Sequence, residues 1–98
     1  MKLEECRKII DAIDTEILVL LNRRAALSRR IGLIKTSAAL PIVDGAREEV
    51  VIRRVIRENA GDIDDRALTN IYGEILSESR RIQRTVASEL MPTGEASK

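Results

Sequence analysis

Two basic side chains lie at positions where the sequence pattern calls for an apolar residue. Arg24 follows Leu20 by four residues and precedes Leu27 by three, so it belongs to the apolar stripe of a helix. A guanidinium buried there needs a partner of opposite charge. Lys35 lies eleven residues further on, which is about three helical turns along the axis and roughly 20° around it. Both cations can therefore face one cavity and bind an anion.

Uncharged polar residues and one acid occupy similar positions on two later helices. Ser79 and Gln83 continue the apolar stripe of Leu76, and Glu48 shares a face with Ile52. Each placement alone has an ordinary structural explanation, such as a hydroxyl bonded to its own helix or an amide that sets the packing register. Together with the two cations, they indicate a cavity for a small anion.

The usual catalytic residues are scarce. The sequence has no histidine and one cysteine, Cys6, so a disulfide within the chain is impossible and a Cys/His zinc site is nearly so. The commonest general base is also missing. We therefore expect no metal and no cofactor, and an enzyme built from these residues would catalyse a reaction with little proton transfer.

Charge and hydropathy narrow the range of partners. The net charge is +1 and Tyr72 is the single aromatic residue, so the sequence offers neither a strong positive field nor a stacking surface for nucleic acid. It contains no apolar run of about 18 residues, and acids stand where a signal peptide would have its apolar region. We expect a cytoplasmic protein that binds neither nucleic acid nor a membrane.

The first helix is too long for a chain of this size. Apolar residues recur every three or four positions from Cys6 to Ile34, which predicts one helix from about Leu3 to Thr36. That helix would be about 50 Å long, whereas a compact domain of this size has a radius of gyration near 13 Å. The chain cannot cover the apolar stripe by itself, so we expect a second copy to cover it.

Turn and capping residues divide the rest of the chain. Pro41 indicates a loop over residues 37–43, and Asp44 is a suitable N-cap for a second helix that ends near Asn59. Asp64 is placed to cap a third helix.

The predicted fold class is therefore all-α, with three helices per chain (long, short, long) in a helical homodimer whose first helices, antiparallel or crossing, cover each other's apolar stripe. The helices form one domain over residues 1–90, and residues 91–98 are expected to be a disordered tail. Arg7 precedes Arg24 by seventeen residues, about 25 Å along one helix. Arg7 can therefore serve the same small site only across a dimer, and the alternative on sequence alone is an exposed arginine paired with nearby acids.

From about Leu3 to Arg84 the chain resembles the all-helical chorismate mutases. The matching segments are CRKIIDAID with Arg7, LLNRRAAL with Arg24, IGLIK with Lys35, PIVDGARE, and SESRRIQ. The resemblance implies an isomerase of aromatic amino acid biosynthesis, in the shikimate pathway, that converts chorismate to prephenate without a cofactor. It also implies a site within an intertwined dimer. The reaction is a unimolecular Claisen rearrangement that needs no base, nucleophile or metal.

The resemblance also implies roles for residues that bind the two carboxylates and the breaking ether bond. Arg24 and the other subunit's Arg7 would bind carboxylates of the substrate. Lys35 would contact a carboxylate and the ether oxygen, and Gln83 would donate a hydrogen bond to the same oxygen.

The same resemblance implies roles for four residues that would surround the ring of the substrate. Ser79 would assist at the ring carboxylate, while Glu48 and the backbone near Asp44 would bind the ring hydroxyl. Arg47 would orient Glu48. Arg80 flanks these positions, and relatives can have an apolar residue in place of Arg80.

Two alternatives remain open from the sequence. One is an isochorismate pyruvate lyase, a relative with the same fold and a similar cationic site. The segment around Asp44, Arg47 and Glu48 favours the mutase. The other is a non-catalytic helical module for dimerisation or regulation, in which the polar residues of the apolar stripes would be dispensable.

Overall fold

Three helices make up the fold. A computed structural model describes residues 1–90, and within this range α1 spans Leu3–Ser37, α2 spans Gly45–Glu58 and α3 spans Asp65–Leu90. The predicted all-α class and the long-short-long order are confirmed. The tail predicted over residues 91–98 lies outside the described residues. No helix among residues 1–90 is long and apolar enough to span a membrane.

Aspartate caps start the second and third helices, as the sequence predicts. The Asp44 carboxylate accepts a hydrogen bond from the Arg47 backbone N–H at 3.0 Å, and the Asp64 carboxylate accepts one from the Ala67 N–H at 2.7 Å. Such caps satisfy amide groups that have no partner within the helix, and each typically contributes about 1 kcal/mol. These caps explain why α2 and α3 begin at Gly45 and Asp65.

The end of α1 is marked by a residue in the left-handed region. Ala39 has φ 56°, and the Leu40 N–H donates to the Lys35 carbonyl at 2.7 Å. A Cβ atom is strained in this conformation, which glycine adopts more readily. The turn reverses the chain, so that the loop to α2 passes over the last turn of α1.

The third helix is packed against both of the others. Arg24 bonds to Ser79, whereas Arg29, further along α1, bonds to Glu89, further along α3. The two long helices therefore run in the same direction. They approach each other closely at Gly32, where an added Cβ atom would lie 3.0 Å from the Cα atom of Gln83.

The N-terminal part of α1 extends away from the other helices. Residues 1–90 measure 64 × 28 × 16 Å, and the apolar side chains of Ile10, Ile13 and Ile17 are 55%, 46% and 47% exposed. Within residues 1–90 the buried apolar residues are few, and they are Val51, Leu76 and Val86. The chain leaves the stripe of α1 uncovered, as the predicted length of the helix requires.

Candidate functional site

A cavity of about 310 Å³ lies among the three helices and the loop that joins α1 to α2. This volume is typical of a small-molecule site at the lower end of the usual range. Seven of the eight residues predicted to form a site line it: Arg24, Lys35, Asp44, Arg47, Glu48, Ser79 and Gln83. All three helices contribute to the lining, so the cavity exists only when the chain is folded.

Arg24 enters the cavity without a carboxylate partner. Its Nη1 donates to the Ser79 hydroxyl at 3.3 Å, and that hydroxyl is hydrogen-bonded to Ser28, which is 3% exposed. Within residues 1–90 Arg24 forms no ion pair. Hydroxyl groups fix its position but leave its charge uncompensated, so the guanidinium is free to bind an anion.

Lys35 is held in a comparable way by a neutral acceptor. Its Nζ donates to the Ile42 carbonyl at 2.8 Å, because the turn at Ala39 brings the loop back over the end of α1. In the described part of the chain the ammonium has no carboxylate within ion-pair distance. Its other hydrogens remain available to a ligand.

The two carboxylates of the cavity already have partners. Asp44 caps α2, and Glu48 accepts a hydrogen bond from Arg80 Nη1 at 2.5 Å, with about a quarter of each side chain exposed. The lining contains four cationic side chains, which are those of Arg24, Lys35, Arg47 and Arg80. Against two carboxylates this leaves a formal excess of two positive charges, which suits a dianion.

Gln83 is a buried polar residue with an incomplete set of hydrogen bonds. Its side chain is 7% exposed, and its Oε1 has no hydrogen-bond partner within residues 1–90. A buried polar atom without a partner typically costs about 1–3 kcal/mol. Because the amide offers both a donor and an acceptor, a ligand in the cavity could recover this cost.

Arg7 lies outside the cavity of its own chain. Its Nη1 is 2.9 Å from Glu4 Oε1, and both side chains are largely exposed. This is the local pairing expected of a surface arginine, and within one chain the distance along α1 keeps Arg7 away from Arg24.

Sequence reasoning missed three groups around the cavity. Ser28 lies four residues after Arg24 on the same face of α1, so helical spacing was a usable signal. Arg80 was considered only as a flanking residue, and it pairs with Glu48, the residue that Arg47 was expected to orient. The Ile42 carbonyl could not be found from side-chain patterns, because its position depends on the path of the loop.

The structure offers this site cationic and neutral hydrogen-bond donors. Within residues 1–90, an exposed ion pair outside the central cavity shifts the pKa values of both its members. A hydrogen bond from Arg81 lowers the pKa of Glu78, and the same contact raises the pKa of Arg81. No cluster of three potential metal-ligating side chains of the kinds His, Cys, Asp and Glu occurs within the described residues. The cavity can bind an anion and donate hydrogen bonds to a developing negative charge.

Comparisons with known proteins agree with this chemistry. The profile of a family described as chorismate mutase type II matches residues 6–84. A solved structure of chorismate mutase from Helicobacter pylori in complex with prephenate superposes with a TM-score of 0.81 at 32% identity, covering 89% of this chain and 94% of that one.

Two curated relatives add detail. A bifunctional chorismate mutase/prephenate dehydratase of Aquifex aeolicus is 43% identical over 87% of this chain, although the match spans only 25% of that longer protein. A 4-amino-4-deoxychorismate mutase of Streptomyces venezuelae is 30% identical over 96% of this chain and 92% of its own length.

Proposed function

The chain belongs to the chorismate mutase type II family, and from this premise we propose that it catalyses the rearrangement of chorismate to prephenate. The observation that carries the proposal is the presence of Arg24 and Lys35 in one cavity, each held by neutral groups and neither paired with a carboxylate within residues 1–90. A substrate with two carboxylates would supply the missing charge.

The reaction makes two demands that this cavity can meet. The flexible ether must fold into a compact shape, and the negative charge that grows on the ether oxygen must be stabilised. Arg24 fixes a carboxylate by paired hydrogen bonds, which favours the folded shape. Lys35 and Gln83 donate to the ether oxygen as the bond breaks. In such sites the loss of one donor typically costs about 3–4 kcal/mol of transition-state stabilisation.

The remaining residues position the ring. Ser79 assists at the ring carboxylate, and Glu48, with the backbone near Asp44, accepts from the ring hydroxyl. Arg47 contributes positive charge at the start of α2 and supports the orientation of its neighbour. These roles rest on the resemblance to the family together with the position of each residue on the wall of the cavity.

The active form is a homodimer in which a second copy contributes Arg7. The exposed stripe of α1 supports this assembly, as does a second cavity of about 330 Å³ between α1 and α3. The second cavity shares Arg24, Ser28 and Ser79 with the central one. A helix from another copy that covers this face could bring its Arg7 to the substrate.

The Streptomyces relative is named for a substrate with an amino group in place of the ring hydroxyl. Both substrates carry two carboxylates and the ether, so Arg24 and Lys35 do not distinguish them. We propose chorismate as the substrate of this chain, and both compounds belong in the assay.

The test is to incubate the purified protein with chorismate and to measure its loss and the formation of prephenate. Arg24→Ala should lower kcat/KM by about a hundredfold or more, whereas Arg23→Ala, one residue earlier and exposed, should behave like the parent protein. Release of pyruvate from isochorismate, with no prephenate from chorismate, would replace the proposal with the lyase. Equal activity of the two variants would refute the role of Arg24.

A further inference from the structure

Arg80 and Glu48 form an ion pair across the interface between α2 and α3. Arg80 Nη1 lies 2.5 Å from Glu48 Oε1, with side-chain exposures of 27% and 25%. This exposure is well below that of the pairs between Arg53 and Glu49 or between Arg81 and Glu78. An ion pair with restricted access to water interacts more strongly than a surface pair.

The pair separates two cavities. Glu48 and Arg80 both line the central cavity, and both also line a neighbouring cavity of about 610 Å³ between α2 and α3. The pair is therefore part of the wall that faces a bound substrate. The proposed mechanism gives Arg80 no role.

Matching the groups of the substrate to those of the cavity places the ring hydroxyl beside this pair. The two carboxylates and the ether oxygen of chorismate are acceptors, and they are matched by Arg24, Lys35 and Gln83. The hydroxyl is the only donor, so it needs an acceptor. Glu48 is the more buried of the two carboxylates, and the Asp44 carboxylate is already bonded to a backbone N–H.

The charge next to Glu48 then decides which ring substituent is accepted. A hydroxyl is neutral, and it can donate to Glu48 while Arg80 holds the other side of that carboxylate. A protonated amine in the same place would also approach Glu48, but it would lie within a few ångströms of the Arg80 guanidinium. Because Arg80 and Glu48 are each only about a quarter exposed, repulsion between these like charges offsets the attraction to the carboxylate.

We propose that Arg80 is a specificity-determining residue that makes this site select a hydroxyl over an ammonium group at that ring position. The inference rests on the proposed function and deepens it. Arg80 excludes the wrong substituent by repulsion, which is how many binding sites achieve discrimination.

The experiment compares kcat/KM for chorismate and for 4-amino-4-deoxychorismate in the parent protein and in two variants. The parent protein should prefer chorismate. Arg80→Gln removes the repulsion and should shift the ratio toward the amino substrate by about tenfold or more, equivalent to about 1.4 kcal/mol. Glu48→Gln removes the attraction and leaves the guanidinium unpaired, so it should shift the ratio further toward chorismate.

The opposite signs of the two shifts in the ratio distinguish a role in specificity from a structural role. Arg80→Gln and Glu48→Gln break the same ion pair, so a purely structural role predicts the same effect in both variants. Arg80→Lys keeps the positive charge and should keep the parent ratio. Arg81→Gln is the matched control, since Arg81 is the next residue, is exposed and pairs with Glu78. Its ratio should not change. Circular dichroism establishes which variants fold. If Arg80→Gln does not fold, the shift of the ratio in Glu48→Gln alone carries the test.

Several outcomes would overturn the inference. A parent protein that prefers the amino substrate contradicts it, and so do shifts of the same sign, or no shifts, in the two variants. In these cases the conversion of chorismate to prephenate would still stand. A parent protein that converts neither substrate would refute the proposed function itself.

Discussion

Gly32→Ala tests whether the close approach of α1 and α3 sets the position of Gln83. An added Cβ atom would lie 3.0 Å from the Cα and 3.3 Å from the carbonyl oxygen of Gln83, and 3.2 Å from the Cβ of Val86. Two of these neighbours are backbone atoms, which cannot move aside by a change of rotamer. The helices must therefore separate by a few tenths of an ångström at the turn that carries Gln83.

Gly32→Ala is expected to lower both stability and activity. Overpacking of this kind typically costs about 1–3 kcal/mol, while replacing a glycine within a helix by alanine gains about 1 kcal/mol. The free energy of unfolding should therefore fall by no more than about 2 kcal/mol. Activity should also fall, by less than the roughly hundredfold that a displacement of about 1 Å can cost, because Gln83 moves by only a fraction of that distance.

The assay is steady-state formation of prephenate together with thermal unfolding. If Gln83 acts on the ether oxygen, its displacement should lower kcat by about tenfold or more with a smaller change in KM. Gly73→Ala is the control, because a Cβ atom at Gly73 would meet nothing within 4 Å. That variant should keep its activity and gain up to about 1 kcal/mol of stability.

The reasoning would be refuted by a Gly32→Ala protein with the kcat and the thermal stability of the parent. Such a result would mean that the helices have room at this crossing and that Gln83 is not positioned by it. An equal loss of kcat in the Gly73→Ala control would point to a general effect of glycine replacement instead.

Three further predictions use the same assay and thermal unfolding. Gln83→Glu should be active mainly in acid, where the carboxyl group keeps its proton and can still donate, and its rate should fall by about tenfold per pH unit above that pKa; an unchanged pH profile would argue against contact with the ether oxygen. Inactive Arg7→Ala and Arg24→Ala proteins, mixed under conditions of verified subunit exchange, should regain activity at one of the two sites of a mixed dimer, and no recovery would count against a shared site. Ala39→Gly should raise the free energy of unfolding by about 1 kcal/mol or less, since φ 56° suits glycine, and a loss of stability would contradict that conformation.

The sequence predicts the helices well because their signals are local. Regular apolar spacing marks α1, and Asp44 and Asp64 mark the starts of α2 and α3 through their own backbone neighbours. The shared cavity of Arg24 and Lys35 also follows from the geometry of a single helix.

Other features depend on how distant segments meet, so no local pattern reveals them. The pair between Glu48 and Arg80 joins residues 32 positions apart on different helices. The role of Gly32 appears only where α1 crosses α3, and the bond from Lys35 to the Ile42 carbonyl depends on the left-handed turn after α1. These contacts decide how the predicted residues are oriented.

The most direct test of the central claim is a crystal structure of the protein with prephenate bound. We expect the ligand in the cavity among the three helices, with its carboxylates within hydrogen-bond distance of Arg24 and Lys35 and with Arg7 of a second copy beside it. A ligand bound elsewhere, or Arg24 and Lys35 turned outward into water with no ligand between them, would contradict the proposal.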